Sequence, residues 1–159
     1  MTATHPTDFR FVAELPPARP LVPLEVARFY LDTDSAGVIR RMEDGLISPA
    51  WDIGLGLEKR ELRFYWRSLA AAKRAQDPSL KAAPLPHDEA VYADIIPTNW
   101  QRPRASLLYR RWDCSHDLLA DLIAAGKLQA ITKAHRGESG SPEILRDSAI
   151  SFLQSRRCT

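Results

Sequence analysis

The stretch from Asp113 to Arg157 constrains the fold of this chain more than any other. In HDLLADLIAAG, the residues Leu118, Leu119, Leu122 and Ile123 fall at i, i+1, i+4 and i+5, the spacing of a helix buried along one side. Gly126 ends that helix, because glycine takes the left-handed conformation a helix stop requires. Asp113-Cys114-Ser115 supplies the preceding turn and its N-cap. Before it, ASLLYRRW predicts a short helix with Leu107, Leu108 and Trp112 inward and Arg110 and Arg111 at least partly outward. After it, KLQAITKA and EILR are strand-like, joined by the polar loop HRGESGSP. DSAISFLQSRR closes the stretch as a helix capped by Asp147 or Ser148, with Ile150 and Leu153 on its inner face.

The same order of elements occurs once before. LEVARFYL predicts a short helix with Leu24, Ala27, Phe29 and Leu31 on its buried face. Asp32-Thr33-Asp34 breaks and re-caps the chain, and SAGVIRRMEDG carries Val38, Ile39 and Met42 to a stop at Gly45. Trp51-Asp52-Ile53 and Leu62-Arg63-Phe64 alternate as strands on either side of a polar turn, and FYWRSLAAAKRAQ is helix-prone. Gly45 and Gly126 stand 81 residues apart, and that offset pairs Leu31 with Trp112, Val38 with Leu119, Met42 with Ile123 and Ile47 with Leu128. Beyond the hairpin, Glu61-Leu62 falls opposite Glu143-Ile144 once one residue is added, which predicts hairpin tips of different length. The order of elements points to an internal duplication, against the alternative of one α+β domain whose halves resemble each other by chance.

Four segments follow. Residues 1–23 carry five prolines and predict an extended arm, pinned by Phe9, Phe11 and Leu15. Residues 24–75 hold the first copy, 76–104 a proline-punctuated linker and 105–157 the second copy. Within the linker, HDEAVYADII predicts a short amphipathic helix and Trp100 an anchor onto the body. From Trp100 onward there are ten Lys and Arg against six Asp and Glu, whereas 76–99 hold Lys81 alone against four acids. The second copy is the basic unit, which suits an anionic partner.

The hydrophobic fraction of 45% and the charged fraction of 26% are those of a globular protein. No apolar run approaches the roughly 20 residues of a membrane helix, so no membrane partner is expected. The N-terminus lacks the pattern of a secretory signal, and a cytoplasmic location is the expectation. Cys114 and Cys158 form no framework and read as free thiols.

With the elements in place, the second copy resembles the winged helix-turn-helix of excisionases and MerR-type regulators. The residues carrying the resemblance are Leu119, Leu122, Ile123, Gly126, Leu128, Ser148, Ala149, Ile150, Phe152 and Leu153, and the first copy matches in outline. The implied fold class is α+β, mostly α, with tandem winged helix-turn-helix units each bearing a two-stranded wing hairpin. The implied function is DNA binding, by a transcriptional regulator or recombination accessory factor. In such proteins the second helix enters the major groove and the wing reaches the neighbouring minor groove or phosphates. Carried over, Ser115, His116, Asp117 and Asp121 are the groove candidates of the second copy, with Ser35, Arg40 and Arg41 in the first. The wing candidates are Lys133, His135 and Arg136 in the second copy and Lys59 and Arg60 in the first. Asp117 and Asp121 repel phosphate, which shifts the expected contact toward the wing.

Other motifs lead nowhere. Cys114-Ser115-His116 has no second half for a metal site, since His5, His87 and His135 lie in other segments. Gly54-Leu55-Gly56 lacks the third glycine of a dinucleotide loop, and no nucleophile with base and orienter assembles, so no cofactor and no enzyme are expected. Phe64, Tyr65 and Trp66 read as core rather than as a stacking platform, and Arg156-Arg157 as a solvated terminus. Two alternatives stand beside double-stranded DNA binding: a protein-interaction adaptor or self-associating module on the same fold, and a small phage DNA-packaging subunit.

Overall fold

The computed structural model describes residues 19–55, 60–76, 87–131 and 142–158. The protein is α+β and mostly helical, with two small antiparallel sheets among the described residues. Strand β1 (Leu21–Pro23) runs into α1 (Leu24–Tyr30), and a turn leads to α2 (Ser35–Glu43). Strands β2 (Ala50–Asp52) and β3 (Leu62–Tyr65) form a hairpin, and α3 (Trp66–Gln76) follows directly. Helix α4 (Asp88–Ile95) lies within the predicted linker. Then come α5 (Ala105–Arg111), α6 (His116–Ala124), β4 (Ala130–Ile131), β5 (Glu143–Ile144) and α7 (Arg146–Ser155).

The two halves repeat at the level of single hydrogen bonds. Helices α1 and α2 recur as α5 and α6 at an offset of 81, residue for residue at both ends. Asp32 and Asp113 take the left-handed conformation in the two turns (φ 54° and 48°), and Gly45 and Gly126 take it at the two helix ends (φ 79° and 76°). The Asp34 carboxylate caps α2 by accepting from Gly37 N at 2.7 Å; the Ser115 hydroxyl caps α6 by accepting from Leu118 N at 3.1 Å. After each glycine, Leu46 N donates to Arg41 O and Lys127 N to Leu122 O, both at 2.8 Å. The sequence therefore specifies one backbone path twice, with different side chains at most positions.

The hairpins also correspond, but with a register other than the one expected. Tyr65 N donates to Pro49 O as Leu145 N donates to Gln129 O, and Trp66 N donates to Pro20 O as Arg146 N donates to Gln101 O. Glu143-Ile144 thus lies opposite Arg63-Phe64, an offset of 80, and not opposite Glu61-Leu62. The single-residue difference falls before the hairpin, where Ser48-Pro49 stand in place of Gln129 alone, so the two tips have equal length. Glu61 and Glu143 are therefore not equivalent in the backbone register.

Burial and capping also differ from the sequence pattern. Phe29 is exposed and Tyr30 takes its place in the core; Leu107 is exposed, while Arg111 is buried at 8%. Helix α7 begins at Arg146 with no side-chain cap, and the Ser148 hydroxyl accepts from Gln129 N instead. The arm contributes its last three residues to the first sheet, which has the order β1-β3-β2 and is therefore not a plain hairpin.

That sheet separates two cores. One face (Val22, Ala50, Leu62, Phe64) packs with Ala27, Val38, Met42 and Leu69 of its own unit. The other face (Leu21, Trp51, Ile53, Tyr65) joins a larger core with α4, α5, α6 and α7, including Ile95, Leu108, Trp112 and Leu122. Burying both faces accounts for all four residues of β3 being buried, where a solvent-facing strand would alternate.

Candidate nucleic-acid interface

Of the residues the sequence singles out, Ser35, Arg40, Arg41, Arg60, Ser115 and His116 lie within the described structure, whereas Lys59, Lys133, His135 and Arg136 lie outside the described residues. On α2, Ala36, Arg40 and Glu43 are exposed along the outer face, and Ser35 at its first turn is half-buried. The Arg40 side chain makes no hydrogen bond or ion pair among the described residues. Arg41 is half-buried and differently engaged: with its amide oxygen turned toward α2, Gln76 accepts from Arg41 Nη1 at 2.6 Å. Among the described residues, Arg40 is thus the free cation of this helix and Arg41 a tie to α3.

Helix α6 presents a different surface. Asp117, Ala120, Asp121 and Ala124 are exposed along it, two carboxylates set among methyl groups. The Ser115 hydroxyl is occupied by its cap, and the exposed His116 ring lies 3.9 Å from the Tyr109 ring, tilted at 46°. The structure does not bring these two residues into a basic cluster. A helix of this composition repels a polyanion along its outward side.

The first hairpin is anchored at its base. The Asp52 carboxylate accepts from both Gly54 N and Glu61 N at 3.0 Å, tying the two arms together. Arg60, half-exposed, lies 3.5 Å from the same carboxylate. Beside β2 runs the C-terminal segment: Asp52 N donates to Arg156 O at 2.9 Å and Cys158 N to Ala50 O at 2.8 Å. The terminus read as solvated is in effect a further strand of the first sheet.

Two buried arginines that the sequence hid fix the units to one another. Arg63, 6% exposed on β3, donates to the carbonyls of Trp112 and Asp113, at 2.8 and 2.7 Å, in the turn between α5 and α6. Arg111 donates to the carbonyls of Asp94 and Ile95 at the end of α4, and its burial lowers its pKa. Asp94 turns the other way and accepts from Tyr65 Oη at 2.6 Å and Trp66 Nε1 at 3.1 Å. Burial, then the Asp94 hydrogen bond, pushes the Tyr65 phenol well above its ordinary pKa. Trp100 anchors as expected, with the Arg111 guanidinium 5.2 Å from its ring.

Burial pushes the Cys114 thiol up to about 12, which marks it as an unreactive packing group. Among the described residues no group of three His, Cys, Asp or Glu could hold a metal ion, and no helix is long and apolar enough to cross a membrane. No family model, curated protein or solved structure matches the chain.

Proposed function

We propose that this chain is a DNA-binding protein, a transcriptional regulator or recombination accessory factor, built on two tandem winged helix-turn-helix units. The observation that carries the reading is the repeated frame: two helix pairs with the same turn, cap and glycine stop, each followed by a hairpin and a closing helix. The second helix of each pair keeps an exposed outer face, as groove insertion requires. The two units divide the work unequally. Arg40 on α2, with Ser35 at its start, serves as the base-reading element, and the Asp117 and Asp121 carboxylates remove α6 from that role. Arg60 of the first wing and Lys133, His135 and Arg136 of the second supply phosphate contacts.

Selection from random duplexes, followed by binding at two salt concentrations, tests the reading. Affinity falls with a slope near 0.9 per phosphate contact, and a motif is enriched. Arg40→Ala costs about 1–3 kcal/mol and relaxes specificity at one position, while Asp117→Ala leaves affinity intact or raises it. Failure to retain any duplex at low salt overturns the proposal.

One observation favours a second reading. The outer face of α6 pairs two carboxylates with small residues, a surface suited to a basic protein segment. An adaptor that kept the fold without DNA contact would show it, and loss of a protein partner on Asp121→Lys would then replace loss of DNA.

A further inference from the structure

We infer that Arg156 is a positioning residue for the first wing and the counter-ion that releases Arg60 to a phosphate; the second half of this inference rests on the DNA-binding reading. The Arg156 guanidinium brackets the point where β2 leaves the sheet. Its Nε donates to Asp52 O at 2.6 Å and its Nη2 to Gly54 O at 2.5 Å, on either side of Ile53. Its own carbonyl accepts from Asp52 N, so side chain and backbone hold the same strand. A planar guanidinium makes such a two-carbonyl clamp, and an ammonium does not.

The same side chain faces a carboxylate shared with Arg60. Asp52 Oδ1 lies 4.0 Å from Arg156 Nη2, and Asp52 Oδ2 lies 3.5 Å from Arg60 Nε. The side chains of Asp52 and Arg156 are 21% and 27% exposed, and that of Arg60 is 45% exposed. Arg60 is therefore the outer cation, held by a wet ion pair of little net worth. Were it the only cation there, swinging Arg60 onto a phosphate would leave the Asp52 carboxylate with its two backbone donors alone and no counter-charge beside the polyanion. Arg156 prevents this: it stays against Asp52 when Arg60 leaves. Its donors Nε and Nη2 are committed to carbonyls, which keeps it beside Asp52 and the wing.

The test uses the full chain with Arg60→Gln, Arg156→Gln, the double variant and Arg156→Lys, read by amide hydrogen exchange and by the salt dependence of duplex binding. Arg60→Gln lowers the salt slope by about 0.9. Arg156→Gln is expected to lower it equally, to add nothing in the double variant, and to speed exchange at the Asp52, Gly54 and Glu61 amides. Arg156→Lys restores the slope but not the protection. Additive slopes would make Arg156 a phosphate contact in its own right and overturn the release. Unchanged exchange in Arg156→Gln overturns the positioning role whatever the DNA result. A wild-type chain that retains no duplex overturns the DNA reading and the release with it, while exchange still decides the positioning.

Discussion

Replacing Arg63 by methionine removes the polar joint between the two units while keeping an apolar stem of similar length. In the wild type Arg63 donates to Trp112 O and Asp113 O across the joint, and to Leu62 O within its own strand. A hydrogen bond from a charged donor contributes about 1.5–3 kcal/mol, so losing the two that cross the joint amounts to roughly 3–6 kcal/mol before relaxation. Burying a guanidinium carries its own desolvation cost, which the methionine relieves, and a net loss of about 3 kcal/mol is expected. For a chain of this size that lowers Tm by roughly 6–12 °C. In urea, with a slope near 2 kcal/mol per molar, the midpoint falls by about 1.5 M. The control is Arg67→Met, since Arg67 is 55% exposed and 4.0 Å from Asp94; it changes stability by no more than about 0.5 kcal/mol. A midpoint shift for Arg63→Met no larger than that of the control would refute the reasoning, because the turn carbonyls would then have to be satisfied by water.

The repeated glycines give a matched pair: a Cβ at Gly45 or Gly126 would meet nothing within 4 Å, so Gly→Ala at either site costs only the left-handed backbone, about 1 kcal/mol, and unequal losses by thermal melting would break the equivalence. Asp34→Ala and Ser115→Ala each remove one cap and lower stability by about 1 kcal/mol in the same assay. The Cys114 thiol, raised by burial to about 12, stays neutral in the folded chain where the unfolded chain ionises near 9. Unfolding then releases protons, so stability falls as pH rises from about 9 toward 12, and Cys114→Ala flattens that part of the pH–stability curve. A thiol reagent at pH 8 is expected to modify Cys114 only after denaturant is added; equal rates in the native and denatured chain would contradict its packing.

What could be read in advance were features whose cause is local. Helix stops at Gly45 and Gly126, caps at Asp34 and Ser115, and the stripe Leu118-Leu119-Leu122-Ile123 depend on residues within a turn or two, and the structure has them. Positions decided by a distant partner were not readable. Arg63 and Arg111 look like surface cations because nothing near them in sequence says that carbonyls some 50 and 16 residues away await them. The segment Arg156–Cys158 is too short to show a period, and its pairing with β2 exists only because α7 delivers it there. On the candidate interface, the acidity of α6 was legible at once, but the difference between Arg40 and Arg41 was not: it depends on Gln76, at the end of another helix.

The unequal fate of two equivalent sheets explains why a repeat need not be a pseudo-dimer. In the first unit the outer sheet face is Leu21, Trp51, Ile53 and Tyr65, all at most 1% exposed, with Arg63 at 6% beside them. Applying the backbone register, Arg102, Ile131, Glu143 and Leu145 occupy the places of Leu21, Trp51, Arg63 and Tyr65 in the second unit; Arg102 is exposed and the others are half-buried. The first sheet rests on the turn and C-terminal segment of the second unit, and nothing among the described residues rests on the second sheet in the same way. Such a contact is head-to-tail, and a head-to-tail contact continues unless its last member is made polar. Arg102 and Glu143 are that polar ending. The first sheet is therefore committed to holding the two units together, whereas corresponding described positions of the second sheet, Arg102 and Glu143, carry charge. The acidic outer face of α6 and the face of α2 that bears Arg40 are different surfaces, so the repeated frame does not present one surface twice.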